Sequence, residues 1–434
     1  FYNNKHPITN YIMNFEDLKL IEPILKALKD QNYREPTEIQ AKSIPLVLNG
    51  DDVLGSAQTG TGKTAAFAIP IIQHLVNGHQ NHQKNRKISS LIVTPTRELA
   101  IQIEENFKAY SKYTKLKTTV IFGGVSQHGQ TRALSNGIDI LVATPGRLLD
   151  LMNQGFISIN AVKYFVLDEA DRMLDMGFIH DIKKIIAKLP KNRQSLFFSA
   201  TMPQNILDLS RQILVNPEKV AVNAVSSAAD TIQQYLYSTN KNNKKELLLH
   251  ILKDSKLDQV LLFSRTKHGA DKIVRNLKKK NINCAAIHGD RNQNQRQRAL
   301  KDFKEGKIRI LVATDIAARG IDISKLRYVI NYDIPNEAET YVHRIGRCGR
   351  AGEEGISISI CEPEENAYIR DIEKLIKQKI KVISSNPFPQ TDQPMTNAEK
   401  KEFEKQKQKR KQEFFSNRNK KKNQKKSGFK RYRR

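Results

Sequence analysis

Ala57-Gln58-Thr59-Gly60-Thr61-Gly62-Lys63-Thr64 decides the reading of this chain. It follows a short apolar run, Val53-Leu54, and precedes Ala65-Ala66-Phe67-Ala68-Ile69, which can begin a helix. A strand, a glycine-rich turn and a helix start together make a phosphate cradle. The glycines let backbone N–H groups approach phosphate oxygens, and the helix N-terminus adds a favourable dipole. In such a cradle Lys63 reaches the β- and γ-phosphates and the Thr64 hydroxyl holds Mg²⁺. The general pattern begins with glycine, whereas this stretch begins with Ala57.

The chain has 434 residues, enough for two or three domains, and 39% of them are apolar. Its net charge of +28 calls for an anionic partner, nucleic acid first of all. Residues 400–434 carry 17 Lys/Arg against 3 Glu, a net +14, so half of the excess sits on a short tail. Cys284, Cys348 and Cys361 form no C-x-x-C pair, so neither a disulfide framework nor a zinc site is indicated, in keeping with a reducing cytoplasmic setting. No apolar run approaches the ~20 residues that span a bilayer, and no signal peptide is visible. Residues 1–12 are polar and unpatterned, and the expectation is that translation begins at Met13.

Working outward from the cradle, short apolar runs alternate with helical stretches. They include Leu91-Ile92-Val93, Ile140-Leu141-Val142, Tyr164-Phe165-Val166-Leu167 and Leu196-Phe197-Phe198. This pattern predicts a parallel sheet covered on both faces, with ligands beyond the carboxyl ends of the strands. The small residues of 222–231 read as a linker. The alternation then restarts at Val260-Leu261-Leu262-Phe263 and continues to Ile356-Ser357-Ile358-Ser359-Ile360, without a second Gly-Lys-Thr loop. The expected organisation is an N-terminal extension (1–12), a first α/β domain (13–221), the linker (222–231), a second α/β domain (232–384) and a disordered basic tail (385–434).

Asp168-Glu169-Ala170-Asp171 ends one of these apolar runs. A carboxylate there, facing the phosphate loop, can hold Mg²⁺, and Glu169 is placed to orient or deprotonate an attacking water. An acidic helix cap is the plainer reading of the four residues alone; the phosphate loop upstream favours the chemical one.

Asp-Glu-Ala-Asp is also the signature of the DEAD-box RNA helicases, and the chain resembles that family from about Phe15 to Val382, motif after motif. Around Asp175-Met176-Gly177-Phe178-Ile179-His180-Asp181-Ile182 it looks most like the bacterial RhlE-type subgroup. The resemblance implies two tandem RecA-like parallel-sheet domains of the P-loop NTPase class, helicase superfamily 2. It implies ATP and Mg²⁺ as cofactors, RNA gripped through its backbone, a cytoplasmic monomer, and ribosomal precursors or the RNA-decay machinery as candidate partners.

Position by position, the resemblance implies that Gln40 reads the adenine edge, that Phe15 stacks on the base, and that Arg34, Pro36 and Thr37 frame it. Asn32 stands where the family has glycine, and Asn tolerates the left-handed backbone better than most residues. Lys63, Asp168 and Glu169 would be catalytic, with Thr64 and Asp168 on the metal and Asp322 on the ribose. Arg347 and Arg350 of His343-Arg344-Ile345-Gly346-Arg347-Cys348-Gly349-Arg350 would be arginine fingers on the γ-phosphate. RNA contacts would come from Pro95, Thr96, Arg97, Gly124, Thr144, Pro145, Gly146 and Arg147. The second domain would add Gly289, Gln293, Arg296, Thr314 and Asp315. Hydroxyls, backbone N–H groups and arginines suit phosphates and sugars rather than base edges. Ser199, Thr201, Asp171 and His343 would couple the ATP and RNA sites. Cys348 replaces the family's threonine, and with arginines on both sides it is expected to sensitise the ATPase to thiol oxidants.

Two other functions fit the composition: an ATP-gated RNA clamp that hardly unwinds, and a DNA-directed motor. Lys63, Glu169, Arg347 and Arg350 argue for an active ATPase, and a strand-separation assay discriminates helicase from clamp.

Overall fold

The computed structural model describes residues 14–57, 60–78, 86–222, 232–318, 323, 326–349, 355–394 and 399. Among the described residues fourteen strands form two seven-stranded sheets, and every pairing there is parallel. The first sheet contains β1 (Val53–Ser56), β2 (Ser90–Val93), β3 (Thr118–Ile121), β4 (Ile140–Ala143), β5 (Tyr164–Asp168), β6 (Gln194–Ser199) and β7 (Glu218–Ala221). The second contains β8 (Ile232–Ser238), β9 (Val260–Phe263), β10 (Cys284–Ile287), β11 (Ile310–Ala313), β12 (Tyr328–Asn331), β13 (Gly355–Cys361) and β14 (Lys381–Val382).

The orders are β3-β4-β2-β5-β6-β1-β7 and β10-β11-β9-β12-β13-β8-β14. Counted from its own first strand, the second order repeats the first, so the same topology occurs twice. Each sheet has apolar clusters on both faces. In the first, Phe67, Phe107 and Phe198 pack on one face and Phe165, Phe197 and Leu141 on the other. That is the reason the central strands read as continuous apolar runs.

The expected central strands are present. Three strands escape the pattern: β7 and β14 at sheet edges, and β8, which the short β14 covers at only two residues. Glu218-Lys219-Val220-Ala221 is exposed at all but Val220, and β8 buries only alternate residues at its start. A strand with one solvated edge carries too few apolar residues to stand out.

The chain beyond β14 is a further correction. A disordered tail was expected from 385, yet Asn386 Nδ2 donates to the Ser238 carbonyl and Thr239 Oγ1 to the Phe388 carbonyl. The N–H groups of Thr391 and Asp392 both donate to Asn240 Oδ1. Residues 386–392 therefore strap the end of β8, and Phe388 packs against the second domain's core. Residues 1–12, the linker from 223 to 231 and the basic run 400–434 lie outside the described residues.

Candidate ATP and RNA sites

The phosphate loop joins β1 to the helix Lys63–Gly78. Gly60 and Gly62 adopt φ of 91° and 98°, which side chains disfavour. At Gly62 space is short as well: a Cβ would run into the Gln40 amide and come 2.8 Å from Thr37 Oγ1. Gln40 Nε2 donates to the Gly62 carbonyl at 3.1 Å, and Gln40 Oε1 accepts from Thr37 N–H at 2.9 Å. Gln40 thus ties the adenine-side segment to the phosphate loop and keeps one further donor and acceptor. The buried Lys63 ammonium rests on the Ala57 carbonyl, 2.7 Å away. Gln58 and Thr59 lie outside the described residues.

Asn32 has φ 57°, the left-handed backbone expected of it. Arg34 and Thr37 are exposed beside the loop. Phe15 departs from expectation. It is 2% exposed and lies along Tyr33, ring centroids 6.1 Å apart, so the face expected to stack on a base is covered in this conformation. Tyr33, 40% exposed, covers it because the left-handed turn at Asn32 brings the two rings together.

β5 delivers Asp168 and Glu169 to the carboxyl end of the sheet, both 2% exposed. Burial pushes the Asp168 carboxyl up to about 7 against the pull of Lys63. Its Oδ1 has no hydrogen-bond partner among the described residues. A buried, unsatisfied carboxylate oxygen near a phosphate loop fits a hard cation. No cluster of three or more acidic, His or Cys side chains capable of caging a metal occurs among the described residues. The donor set therefore suits Mg²⁺, which protein groups hold together with substrate phosphates.

Burial also raises Glu169, but Arg172, Lys63 and Arg347 outweigh it and hold this carboxyl below its usual range. Arg347 belongs to the second domain, so the two halves of the site meet here. Glu169 itself has φ 56°, ψ 50°, a left-handed non-glycine at the head of the helix Ala170–Asp175. Such strain costs about 1–3 kcal/mol and clusters at functional positions.

Asp171 is held from three directions. Its N–H donates to Ser199 Oγ (3.2 Å), and its Oδ2 accepts from Thr201 N–H (2.9 Å) and Thr201 Oγ1 (3.0 Å). Three of the four expected coupling residues are thus directly bonded to one another. His343 stands on the second domain, where its carbonyl accepts from Arg347 Nε at 3.2 Å.

The three arginines of the second domain differ in fate. Arg344 is 2% exposed, grips both oxygens of Asp315 (2.5 and 2.8 Å) and lies over the Phe263 ring. It is scaffold. Arg347, 4% exposed, is the one whose charge reaches Glu169. Arg350 and Asp322 lie outside the described residues. Cys348 is 1% exposed, with Sγ 3.2 Å from the Ile345 carbonyl. Burial closes it to oxidants in this conformation, so the expected oxidant sensitivity loses its physical basis.

A cavity of about 530 Å³ is lined by residues of both domains. Pro95, Thr96, Arg97, Thr144, Gly146 and Arg147 line it from the first domain, and Gly289 and Arg296 from the second. Arg147 Nη1 and Arg296 Nε are buried without a hydrogen-bond partner among the described residues, donors suited to an anionic backbone. Pro145 is buried in the first turn of the helix Pro145–Asn153, and exposed Gly124 (φ 77°) lies against the Arg97 guanidinium. Thr314 is half-buried, and the Asp315 carboxylate is committed to Arg344.

Gln293 requires a correction. Expected to touch RNA, it is 2% exposed and bonded at both ends across the domain boundary. Its Oε1 accepts from Arg97 at 3.2 Å, and its Nε2 donates to Glu98 at 3.0 Å. Arg296 pairs with the other Glu98 oxygen at 2.8 Å. An amide spent on two interdomain bonds is a clasp. Arg172, buried and central, has no signal in the sequence that separates it from a surface charge, and Glu98, which falls within an expected RNA-contact motif, serves the clasp instead.

Comparison with known proteins completes the description. A DEAD/DEAH box helicase family model matches residues 37–209, and a helicase conserved C-terminal domain model matches 243–352. The chain is 42% identical over 368 residues to the ATP-dependent RNA helicase CshA of Limosilactobacillus reuteri, covering 85% of this chain and 73% of that one. It is 41% identical over 369 residues to the DEAD-box ATP-dependent RNA helicase RhpA of Helicobacter pylori, covering 85% and 74%. Among solved structures, S. cerevisiae Dbp5 bound to RNA and ADP BeF3 superposes with a TM-score of 0.76 at 30% identity, covering 85% of this chain and 95% of that one. No helix among the described residues is long and apolar enough to cross a membrane.

Proposed function

This chain belongs to the DEAD-box ATP-dependent RNA helicases, and from that premise we propose how its own residues do the work. ATP binds to the first domain, RNA binds across both domains, and each favours the closed cleft in which hydrolysis occurs. The observation that carries this reading is that the domains meet through Arg97, Glu98, Gln293 and Arg296, with the charge of Arg347 from the second domain reaching Glu169 of the first.

Lys63 leaves the Ala57 carbonyl for the β- and γ-phosphates. Asp168 and Thr64 would hold Mg²⁺, whose charge would offset that of the phosphoryl oxygens. Glu169, kept ionised by the surrounding cations, orients the attacking water and accepts its proton. Arg347, with Arg350 as the second finger, stabilises the charge that develops on the γ-phosphoryl oxygens; such fingers contribute roughly 10³–10⁵ in rate in related nucleotidases. Gln40 senses the adenine and passes its position to Gly62 through one hydrogen bond.

On the RNA side, Thr96, Arg97, Thr144, Gly146 and Arg147 contact phosphates and sugars, and Gly289, Arg296 and Thr314 complete the groove. These contacts carry little sequence preference. Closure grips one strand in a shape that a duplex does not fit, separating short duplexes locally. The Glu98–Gln293–Arg296 clasp holds the closed form beside the RNA. The basic residues 400–434 add salt-dependent, non-specific affinity for RNA. A truncation at residue 394 keeps the strap on β8 and serves to test the tail alone.

As to subgroup, relatives named CshA and RhpA at 41–42% identity favour a CshA-type reading over the RhlE-type one. Cytoplasmic location, a monomeric state and ribosomal or RNA-decay partners remain our proposals, supported by the charge, the cysteine pattern and the family. The test is ATP turnover with RNA, with single-stranded DNA and with neither. Strong stimulation by RNA alone is expected, with strand separation of a short RNA duplex. Equal stimulation by DNA would overturn the reading, and stimulation without strand separation would make the protein a clamp.

A further inference from the structure

Arg172 follows the last aspartate of Asp168-Glu169-Ala170-Asp171, and none of the roles above uses it. It is 3% exposed, in a helix of only six residues. A guanidinium so deeply buried needs paired charge, and here the pairing is directional. Arg172 Nη1 donates to Glu169 Oε2 at 2.6 Å, with both side chains below 5% exposed. The Arg172 N–H donates to Asp171 Oδ1 at 3.0 Å. The other Asp171 oxygen is the one held by Thr201, whose carbonyl accepts from Ser199 Oγ at 2.8 Å.

These bonds form one unbroken path from Ser199 and Thr201 through Asp171 and Arg172 to the Glu169 carboxylate. Each link is buried or nearly so, and Glu169 sits on a strained left-handed backbone. The cations around Glu169 also divide by domain: Lys63 and Arg172 belong to the first, Arg347 to the second. Opening of the cleft would take Arg347 away with its domain, whereas Arg172 is carried on the same domain as the carboxylate it holds.

We propose that Arg172 is a positioning residue that transmits the placement of the Ser199–Thr201 segment to Glu169, and so makes ATP hydrolysis respond to RNA. This rests on the helicase reading above. The segment after β6 shifts when RNA binds, Asp171 follows through its two bonds to Thr201, and Arg172 follows through its backbone. The guanidinium then sets the Glu169 oxygen on the water to be activated. A displacement of 1 Å at such a group costs on the order of 10²-fold in rate.

The experiment compares the full-length parent chain with Arg172→Met, Arg172→Lys, Thr201→Val and the Arg172→Lys/Thr201→Val double variant. Turnover is measured with and without RNA, and affinities for a fluorescent ADP analogue and for RNA are measured directly. Arg172→Met should lose on the order of 10–100-fold in RNA-stimulated kcat, bringing the ratio of stimulated to basal turnover close to one. Both affinities should stay within about threefold, and Arg172→Lys, which keeps the charge and can donate to Glu169 without the guanidinium fork, should regain part of the stimulation. A stimulation ratio in Arg172→Met equal to the parent's overturns the proposal. Should Arg172→Met fail to fold, the lysine and valine variants decide: non-additive effects on the ratio support a single path, and additive effects overturn it. A parent chain without RNA-stimulated turnover defeats the helicase reading and this inference with it.

Discussion

The two halves of the molecule place a lysine at the same point and use it oppositely. Lys63 opens the helix that follows β1, and Lys244 opens the helix that follows β8. β1 and β8 hold the same position in their sheets, between β6 and β7 and between β13 and β14. Both lysines are buried, 5% and 4% exposed. An aspartate stands near each at the end of the corresponding strand: Asp168 ends β5 and Asp333 follows β12.

In the first half, glycines at 60 and 62 open the loop, Lys63 rests on a backbone carbonyl, and Asp168 keeps an oxygen without a partner among the described residues. In the second half the loop is Thr239-Asn240-Lys241-Asn242-Asn243, without glycine. Lys244 is spent on Glu365 at 2.9 Å and lies 3.6 Å from Asp333. Glu365 also accepts from Ile334 N–H, Glu362 N–H and Arg265. A carboxylate from the chain stands where the first domain would receive phosphate. The lesson is that a buried lysine at a helix start becomes a nucleotide site only when backbone donors are opened and its counter-charge is left to the ligand.

Variants can break this contrast. The largest effect is expected from Glu169→Gln, which removes the base and should lower RNA-stimulated kcat by roughly 10²–10⁴, read by phosphate release. Glu365→Ala acts on the other half and on stability. It strands Lys244 in the core and should destabilise the second domain by about 3–5 kcal/mol, measured by denaturant unfolding.

Asp171→Asn should cost about 1.5–3 kcal/mol, and its pH dependence sharpens the comparison. Burial raises the Asp171 carboxyl, but Arg172, Lys63 and Thr201 outweigh it and hold it below its ordinary value. A lowered acid contributes fully above its unfolded value, near 3.9, and its contribution is lost as pH falls through the lower folded value. The gap in thermal midpoint between parent and Asp171→Asn should therefore persist from pH 7 to about pH 4 and shrink below it. Glu365 has the opposite sign, because burial raises it despite Lys244. Its ionisation works against the folded state as pH rises from the unfolded value through the folded one.

Gly62→Ala should cost about 1–3 kcal/mol in strain, felt as weaker ATP binding, because the added methyl meets Gln40. A nucleotide titration followed by fluorescence reads it. The smallest expected signal is from the thiols. Cys284, Cys348 and Cys361 are all buried, and burial pushes the Cys361 thiol up to about 12 and raises Cys284. A thiol reagent should label none of them until denaturant is added.

Much of this was legible in the sequence. The phosphate loop, the acidic strand end and the alternation of buried strands with helices follow from local chemistry, and the fold follows from them. The edge strands β7 and β14, and β8 beside the short β14, were not legible, because much of their surface is solvated and their composition resembles loops. Nor was the split among the arginines: the spacing of Arg344 and Arg347 is regular, while their burial and partners depend on Asp315 and Glu169, far away in the chain. Gln293 misled for a similar reason. A polar residue near a groove reads as a contact, and only tertiary structure reveals that Arg97 and Glu98 have claimed both of its ends.

The central claim is that RNA and nucleotide favour the same closed state, since each site draws residues from both domains. Linkage requires the effect to be reciprocal. RNA affinity should therefore be measured with and without a non-hydrolysable ATP analogue, and analogue affinity with and without RNA. The account predicts that each ligand tightens the other by the same factor, on the order of 5–150-fold. Independent binding of the two ligands would contradict it.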